Sequence, residues 1–214
     1  MWIVAIASQK GGAGKSTLAA HFSVIADDAS ASVLLLDADP QGSLASWHAR
    51  RESPRPILAK VTAGDLAGIL ADAKASGIAT VIVDTPPRNE PIVGAIMRAA
   101  TLTVVPVRPG AFDLEAAAVT FETARSLKVR AVALLNHTPP PRFMEPGIVR
   151  EARQVLASMG AQVLGPVVSQ RAALAHAVVG GQTVGEFEPG GPAAREIAAA
   201  WAAIVAEMRG KGSR

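Results

Sequence analysis

The stretch "WIVAIASQKGGAGKSTLAAHFSVIAD", Trp2 to Asp27, limits the fold more than any other. It passes from an unbroken apolar run through a glycine-rich turn into residues with helical spacing. An apolar run without polar alternation suits a strand buried on both faces, and such strands belong to parallel sheets covered by helices. The pattern recurs. "SVLLLD" at 32–37, "TVIVD" at 80–84, "LTVVPV" at 102–107, "RAVALLN" at 130–136 and "AQVLGPVV" at 161–168 read as further strands, separated by segments of helical periodicity. "PILAKV" at 56–61 reads as a weaker, peripheral strand. Alternating strands and helices predict an α/β fold, a mostly parallel doubly wound sheet flanked by helices.

With 214 residues, no internal repeat and no interdomain linker, one domain is expected over the whole chain. Half of the residues are apolar, and there is no tyrosine, as expected for helices packed on a buried sheet. The absence of cysteine excludes disulfides, iron–sulfur clusters and thiol catalysis. The four histidines, His21, His48, His137 and His176, lack metal-ligand spacing and read as solvated or structural. "TAGDLAGILADAKASG", 62–77, reads as a helix opened by a capping arrangement of Thr62 and Asp65, and Pro192 to Met208 as a final helix with its apolar residues on one face. Three prolines in "NHTPPPRF", 136–143, predict an exposed loop. No run approaches the roughly 20 apolar residues of a membrane span, and the start of the chain lacks a basic leader, so it reads as a buried first strand of a soluble protein. A net charge of +3 is a weak pull toward anionic partners.

A strand, a glycine loop and a helix in sequence are the context a phosphate-binding loop requires. In "SQKGGAGKST", glycines let successive backbone N–H groups curl around an anion, and the helix N-terminus adds its own. Position in such a loop assigns Lys15 to the β- and γ-phosphates of a nucleotide, Ser16 to Mg²⁺ and Thr17 to the α-phosphate. Gln9 stands where the usual pattern has its first glycine, and a second lysine, Lys10, precedes the loop. One lysine suffices to hold phosphates, so Lys10 is either an incidental surface residue or has a role of its own.

"KGGAGKST" resembles the deviant signature of the ParA/MinD family of P-loop ATPases, closest to its small partition-type ParA members. "LLLDADPQGSLASW", 34–47, and "VIVDTPP", 81–87, are similar to that family's next two motifs, in the same order. The resemblance implies a P-loop NTPase fold, ATP and Mg²⁺ as cofactors and nucleotide contacts from Lys10, Gly11, Gly12, Ala13, Gly14, Lys15, Ser16 and Thr17. It also implies that Lys10 reaches the partner subunit's phosphates in an ATP-dependent homodimer, which makes Lys10 and Lys15 catalytic together with Asp39, the residue that would orient the attacking water. Asp37 and Asp84 end apolar strands, where nucleotide sites of open α/β sheets form, and are expected to hold Mg²⁺ through its waters. Any of these aspartates could instead cap the following helix. Loops 38–46 and 85–91 are the expected γ-phosphate switches. Adenine contacts are expected from Asn136 and the Pro166 region.

By the same resemblance the dimer binds nonspecific DNA, works with a ParB-type centromere-binding or cargo adaptor protein, is cytoplasmic and nucleoid-associated, and partitions a plasmid, chromosome or other cargo. Arg171 and Arg195 are the preferred DNA contacts, with Arg142, Arg150 and Arg153 as further candidates. A MinD-like role positioning division machinery at a membrane is the first alternative, and the last helix has few basic residues for it. A metabolic ATP-dependent ligase on the same fold is the second, and Lys10 with "DADPQ" argues for the dimeric switch instead.

Overall fold

The computed structural model describes residues 1–27, 32–87, 91–141 and 143–210. Among the described residues every strand pairs in parallel in one eight-stranded sheet. Its strands are β1 (Trp2–Ile6), β2 (Val33–Asp37), β3 (Ile57–Lys60), β4 (Thr80–Asp84), β5 (Leu102–Val107), β6 (Ala131–Thr138), β7 (Gln162–Val163) and β8 (Val168–Ser169). The order is β3-β2-β4-β1-β5-β6-β7, with β8 also paired to β6. The chain leaves β1 toward the β3 edge, returns to β4 and then crosses to β5 on the other side of β1. In such open sheets a crevice forms at the carboxyl ends of the strands where the order reverses.

Alternation along the strands decides which face each residue covers. Val4, Ile6, Leu35 and Ile82 pack on one side against α1 (Lys15–Ala26), α2 (Ser43–His48), α7 (Ala172–Val179), α8 (Val184–Phe187) and α9 (Pro192–Met208). Ala5, Leu34, Leu36, Val81 and Val83 face the other side, against α3 (Leu66–Ala75) and α4 (Pro91–Ala99). Val105, Ala133 and Leu135 extend that layer under α5 (Ala111–Leu127) and α6 (Gly147–Ser158). Burying a strand on both faces removes every side chain from water, which is why the runs carry no polar alternation. In α9, Ile197, Ala200, Ile204 and Met208 are buried in the core, so its apolar stripe is consumed by packing. Among the described residues no helix is long and apolar enough to cross a membrane.

The strand read at 56–61 is β3, at the sheet edge. Two readings need correction. The run at 161–168 is not one strand: β7 and β8 are separated by Leu164–Val167, because Pro166 has no N–H for the ladder and Gly165 weakens any strand that includes it. The loop expected at 136–143 begins later, since Asn136 and Thr138 are buried in β6, while Pro139–Pro141 and Phe143 stand exposed. His137 between them has φ 52 at an irregularity in the β6–β8 pairing, which lets the strand continue past a residue the local pattern reads as loop. At the start of α3, Asp65 is the N-cap, and its carboxylate accepts the Thr62 N–H at 2.6 Å instead of bonding the first turn of the helix.

Candidate functional site

Between the end of β1 and Lys15, the first residue of α1, the backbone wraps around an open space at the carboxyl edge of the sheet. Gly12 (φ 72) and Gly14 (φ 90) adopt left-handed conformations that L-residues rarely enter. At Gly14 a side chain is also excluded by space, since a Cβ would lie 2.4 Å from Asn136 Nδ2. The loop is held from outside the local sequence. Asn136 Nδ2 donates to the Ala13 carbonyl at 2.8 Å, and the Arg108 guanidinium donates to the Gly12 carbonyl. These two bonds turn the Ala13 and Gly12 carbonyls toward the scaffold, while within the loop Lys15 Nζ donates to the Lys10 carbonyl at 3.4 Å.

Asp37 and Asp84 sit directly opposite each other in the β2–β4 register, and both are buried. Their environments differ. Asp37 accepts the Asp39 N–H at 3.1 Å and the Ala45 N–H at 3.3 Å, the second being an orphan donor of the first turn of α2, so the capping role open to it is realised. Burial still raises its pKa. Neither oxygen of Asp84 makes a hydrogen bond among the described residues, although the Ser16 hydroxyl lies close enough to favour the charged form. Burial pushes the Asp84 pKa up to about 7, against the opposing pull of Ser16 and the Lys15 ammonium. Lys15 is itself buried, which lowers its pKa, while Asp84 and Asp39 favour its charge. Asp39 is half-buried, and its side chain accepts the Gln41 N–H at 3.0 Å, which shapes the loop leading into α2.

The arrangement is incomplete without a ligand. A buried carboxylate with two unpaired oxygens costs free energy unless a cation meets it, and a glycine cradle above a buried ammonium asks for an anion. A Mg²⁺–nucleotide supplies both, and Ser16, Asp84 and, through water, Asp37 are the residues that fit the metal. Among the described residues no group of three or more His, Cys, Asp or Glu is placed to hold a metal by itself. Mg²⁺ needs no such cage, because it retains waters and shares substrate phosphates.

A cleft of about 370 Å³ collects Gly11, Gly12, Gly14, Lys15, Ser16, Thr17 and Asp39 with Trp47, Pro87 and His137. A second cavity of about 710 Å³ continues from Thr17 and His137 to Asn136, Val168, Gln170 and Arg171. Pro166 lines neither; it lies in a third groove with Arg171 and Arg195. Arg171 is paired with Glu196 Oε1 at 2.7 Å, and Arg195 donates to the Gly190 carbonyl. Arg153 is paired with Glu145, Arg150 is exposed, and Arg142 lies outside the described residues. Of the two expected switches, 38–46 borders the cleft through Asp39, Gln41, Ser43 and Leu44. In 85–91, Thr85 is buried with its hydroxyl donating to the Ile6 carbonyl, Pro87 lines the cleft, and 88–90 lie outside the described residues.

Lys10 does not line its own cleft. Its Nζ lies 3.7 Å from Asp113 Oδ2 and 5.9 Å from the centre of the exposed Phe112 ring, both at the start of α5. The sequence reading missed Arg108, His137 and Trp47. Arg108 stands just past the end of β5, as Asp37 and Asp84 stand at the ends of β2 and β4, and that position was its signal in the sequence. Trp47 is positioned by its Nε1–H donating to the Gln182 carbonyl, a contact 135 residues away in sequence.

Residues 4–184 match the family described as CobQ/CobB/MinD/ParA nucleotide binding domain. The maintenance of carboxysome distribution protein A of Halothiobacillus neapolitanus is 30% identical over 189 residues, 85% of each chain. Its namesake from Gloeobacter kilaueensis is 40% identical over 124 residues, 56% of this chain and 54% of that protein, so the match spans about half of that relative. The chromosome-partitioning ATPase Soj of Thermus thermophilus is 28% identical over 89% of this chain and 90% of its own. The fold is similar to that of the Aquifex aeolicus MinD cell division protein, with a TM-score of 0.77 and 17% identity over 96% of this chain and 97% of that one. The ATP complex of a Cyanothece McdA variant gives a TM-score of 0.75 at 17% identity, covering 100% and 98%. With a glycine cradle, a buried lysine and paired strand-end aspartates already in place, these matches establish that the chain belongs to the CobQ/CobB/MinD/ParA nucleotide-binding family.

Proposed function

We propose that this chain is an ATP-dependent, dimerising ATPase that positions a cargo and is reset when a partner protein stimulates hydrolysis. The observation that carries the reading is the division of labour between two lysines of one loop. Lys15 is buried beneath its own cleft, whereas Lys10 leaves that cleft and reaches Asp113 at the edge of α5. A lysine placed outside its own site is available to a second copy's phosphates, which makes dimerisation depend on ATP.

In this reading the loop N–H groups and Lys15 bind the phosphates, and Ser16 and Asp84 hold Mg²⁺. When bound, Mg²⁺ neutralises charge on the phosphate oxygens. Asp39, beside Lys15 at the cleft wall, orients water for attack on the γ-phosphorus, which yields ADP and phosphate. Asn136 supports the loop carbonyl of Ala13 and borders the cavity where the base would lie.

The relatives' names span carboxysome distribution and chromosome partitioning, which supports a cargo-positioning role over a metabolic one. We take nonspecific DNA as the matrix on which the dimer rides. Arg171 and Arg153 are neutralised by Glu196 and Glu145 and Arg195 borders an apolar groove, so a DNA-binding face would draw on other arginines, Arg150 among them, gathered in the dimer.

The test is binding of the purified protein to random-sequence duplex DNA at low and moderate salt with ATP, ADP or no nucleotide, read together with its mass in solution. ATP-dependent dimerisation and salt-sensitive DNA binding are expected, both lost in Lys10→Ala, which still binds ATP. Full ATP-dependent dimerisation of Lys10→Ala would refute the trans role of Lys10. An ATP dimer that binds no DNA would leave the positioning switch and remove the DNA matrix.

A further inference from the structure

The third groove has a chemistry that the nucleotide reading does not use. It encloses about 490 Å³ between the loop before α6, the segment between β7 and β8, and the first turns of α9. Pro141, Pro146, Pro166 and Pro192 form much of its wall, with Val167 and Ala199. Prolines offer no N–H, so this wall holds water poorly and gains by covering itself with apolar atoms.

Its charges are nearly all spoken for. The Arg171 guanidinium is bound by Glu196 Oε1, and the other Glu196 oxygen accepts the Ser169 N–H at 2.9 Å. Glu145 is paired with Arg153 at 3.1 Å. That leaves Arg195, whose only hydrogen bond among the described residues goes to a carbonyl, as the one lining group without a carboxylate partner. Beside the groove, on the loop between Pro141 and Pro146, Phe143 is fully exposed and Met144 is 82% exposed. Two large apolar side chains standing in water next to an apolar groove mark an interaction surface.

We infer that this groove docks an extended segment of a partner protein that carries an apolar side chain next to a carboxylate. The apolar residue occupies the proline-lined wall, and its acidic neighbour pairs with Arg195. Duplex DNA suits the site less well, since its phosphates would face Glu145, Glu196 and an apolar wall with a single unneutralised cation. Arg171 lines this groove and also the cavity that contains Thr17 and Asn136, so the docked segment lies one residue away from the nucleotide side. The inference does not depend on the nucleotide reading, because none of its residues other than Arg171 lines the phosphate-loop cavities.

A random dodecapeptide display library selected against the immobilised full chain tests it. Enriched sequences should place Asp or Glu next to Leu, Ile, Phe or Trp, and a synthetic peptide made from them should bind the wild-type chain. Arg195→Glu should weaken that peptide by about tenfold or more, and Ala199→Trp, which fills the groove from an exposed helix position, should abolish binding. Both variants should keep the wild-type affinity for a fluorescent ATP analogue and an unchanged thermal midpoint. Should Ala199→Trp lower that midpoint, Arg195→Glu decides alone. No enrichment above a control protein, or peptides indifferent to Arg195→Glu, would overturn the inference. So would loss of low-salt duplex DNA binding in Arg195→Glu with peptide binding intact, which would make the groove part of a DNA face.

Discussion

The phosphate-loop cleft and the proline-walled groove differ most in how their charges are balanced. At the cleft Asp84 has two buried oxygens that make no hydrogen bond among the described residues, Lys15 is desolvated, and two glycines are held at positive φ. At the groove every charged pair is closed except for one arginine, and the wall is apolar. A site whose own charges are unresolved is built to be completed by an ionic ligand. A site whose charges are resolved internally is built to cover apolar surface. The first trades stability of the empty fold for affinity, and the second costs the fold little.

The largest expected effect lies in the cleft. Lys15→Ala removes the buried cation beneath the loop and should weaken a fluorescent ATP analogue by at least about 100-fold, about 2.7 kcal/mol. Affinity within a few fold of wild type would mean that the loop N–H groups alone hold the phosphates. The second lies where α1 meets α8 and α9. His21 on α1 is buried, its Nδ1–H donates to the Thr17 carbonyl at 2.7 Å, and its Nε2 has no partner among the described residues. Burial lowers its pKa from 6.5 to about 4. The unfolded chain therefore binds a proton first as pH falls, so the stability tied to neutral His21 is intact above about pH 6.5. It declines between there and pH 4, by about 3 kcal/mol in all. Urea unfolding at pH 7.5 and 4.5 should show that loss in the wild type and a smaller one in His21→Leu, and equal losses would refute the assignment.

One substitution in each region sets the two against each other. Asp84→Asn removes a buried carboxyl whose ionisation burial opposes and should stabilise the nucleotide-free fold by about 1 kcal/mol in urea unfolding at pH 8, while weakening Mg²⁺-dependent nucleotide binding. Glu196→Gln leaves Arg171 without its counter-charge and should destabilise the fold by about 1 kcal/mol. Opposite signs would uphold the contrast. Destabilisation by both would mean that Asp84 is satisfied in the empty protein.

Much of this was legible in local patterns. Each apolar run became a strand except 161–168, where Gly165 and Pro166 divide it. Pro192 to Met208 is helical over the residues that its periodicity marks out. The phosphate loop was readable because its glycines and lysine act within ten residues of backbone. The adenine and DNA assignments were harder to place because they depend on which late segments meet. Pro166 and Arg195 line a groove that shares only Arg171 with the phosphate-loop cavities, and Arg171 is occupied by Glu196, 25 residues further on.

The sequence by itself determined the alternation of buried strands and helices, the anion-binding turn and the acids at strand ends, because periodicity, glycine freedom and strand position are properties of short segments. Only the tertiary structure decided which partners those segments acquire. Sheet order sets Asp37 against Asp84, carries Asn136 back to the Ala13 carbonyl across 123 residues, and brings Arg108 to Gly12. It also sends Lys10 out of its own cleft to Asp113 and closes Arg171 onto Glu196. Contacts between distant segments follow from how the sheet is wound, and no local pattern encodes that order.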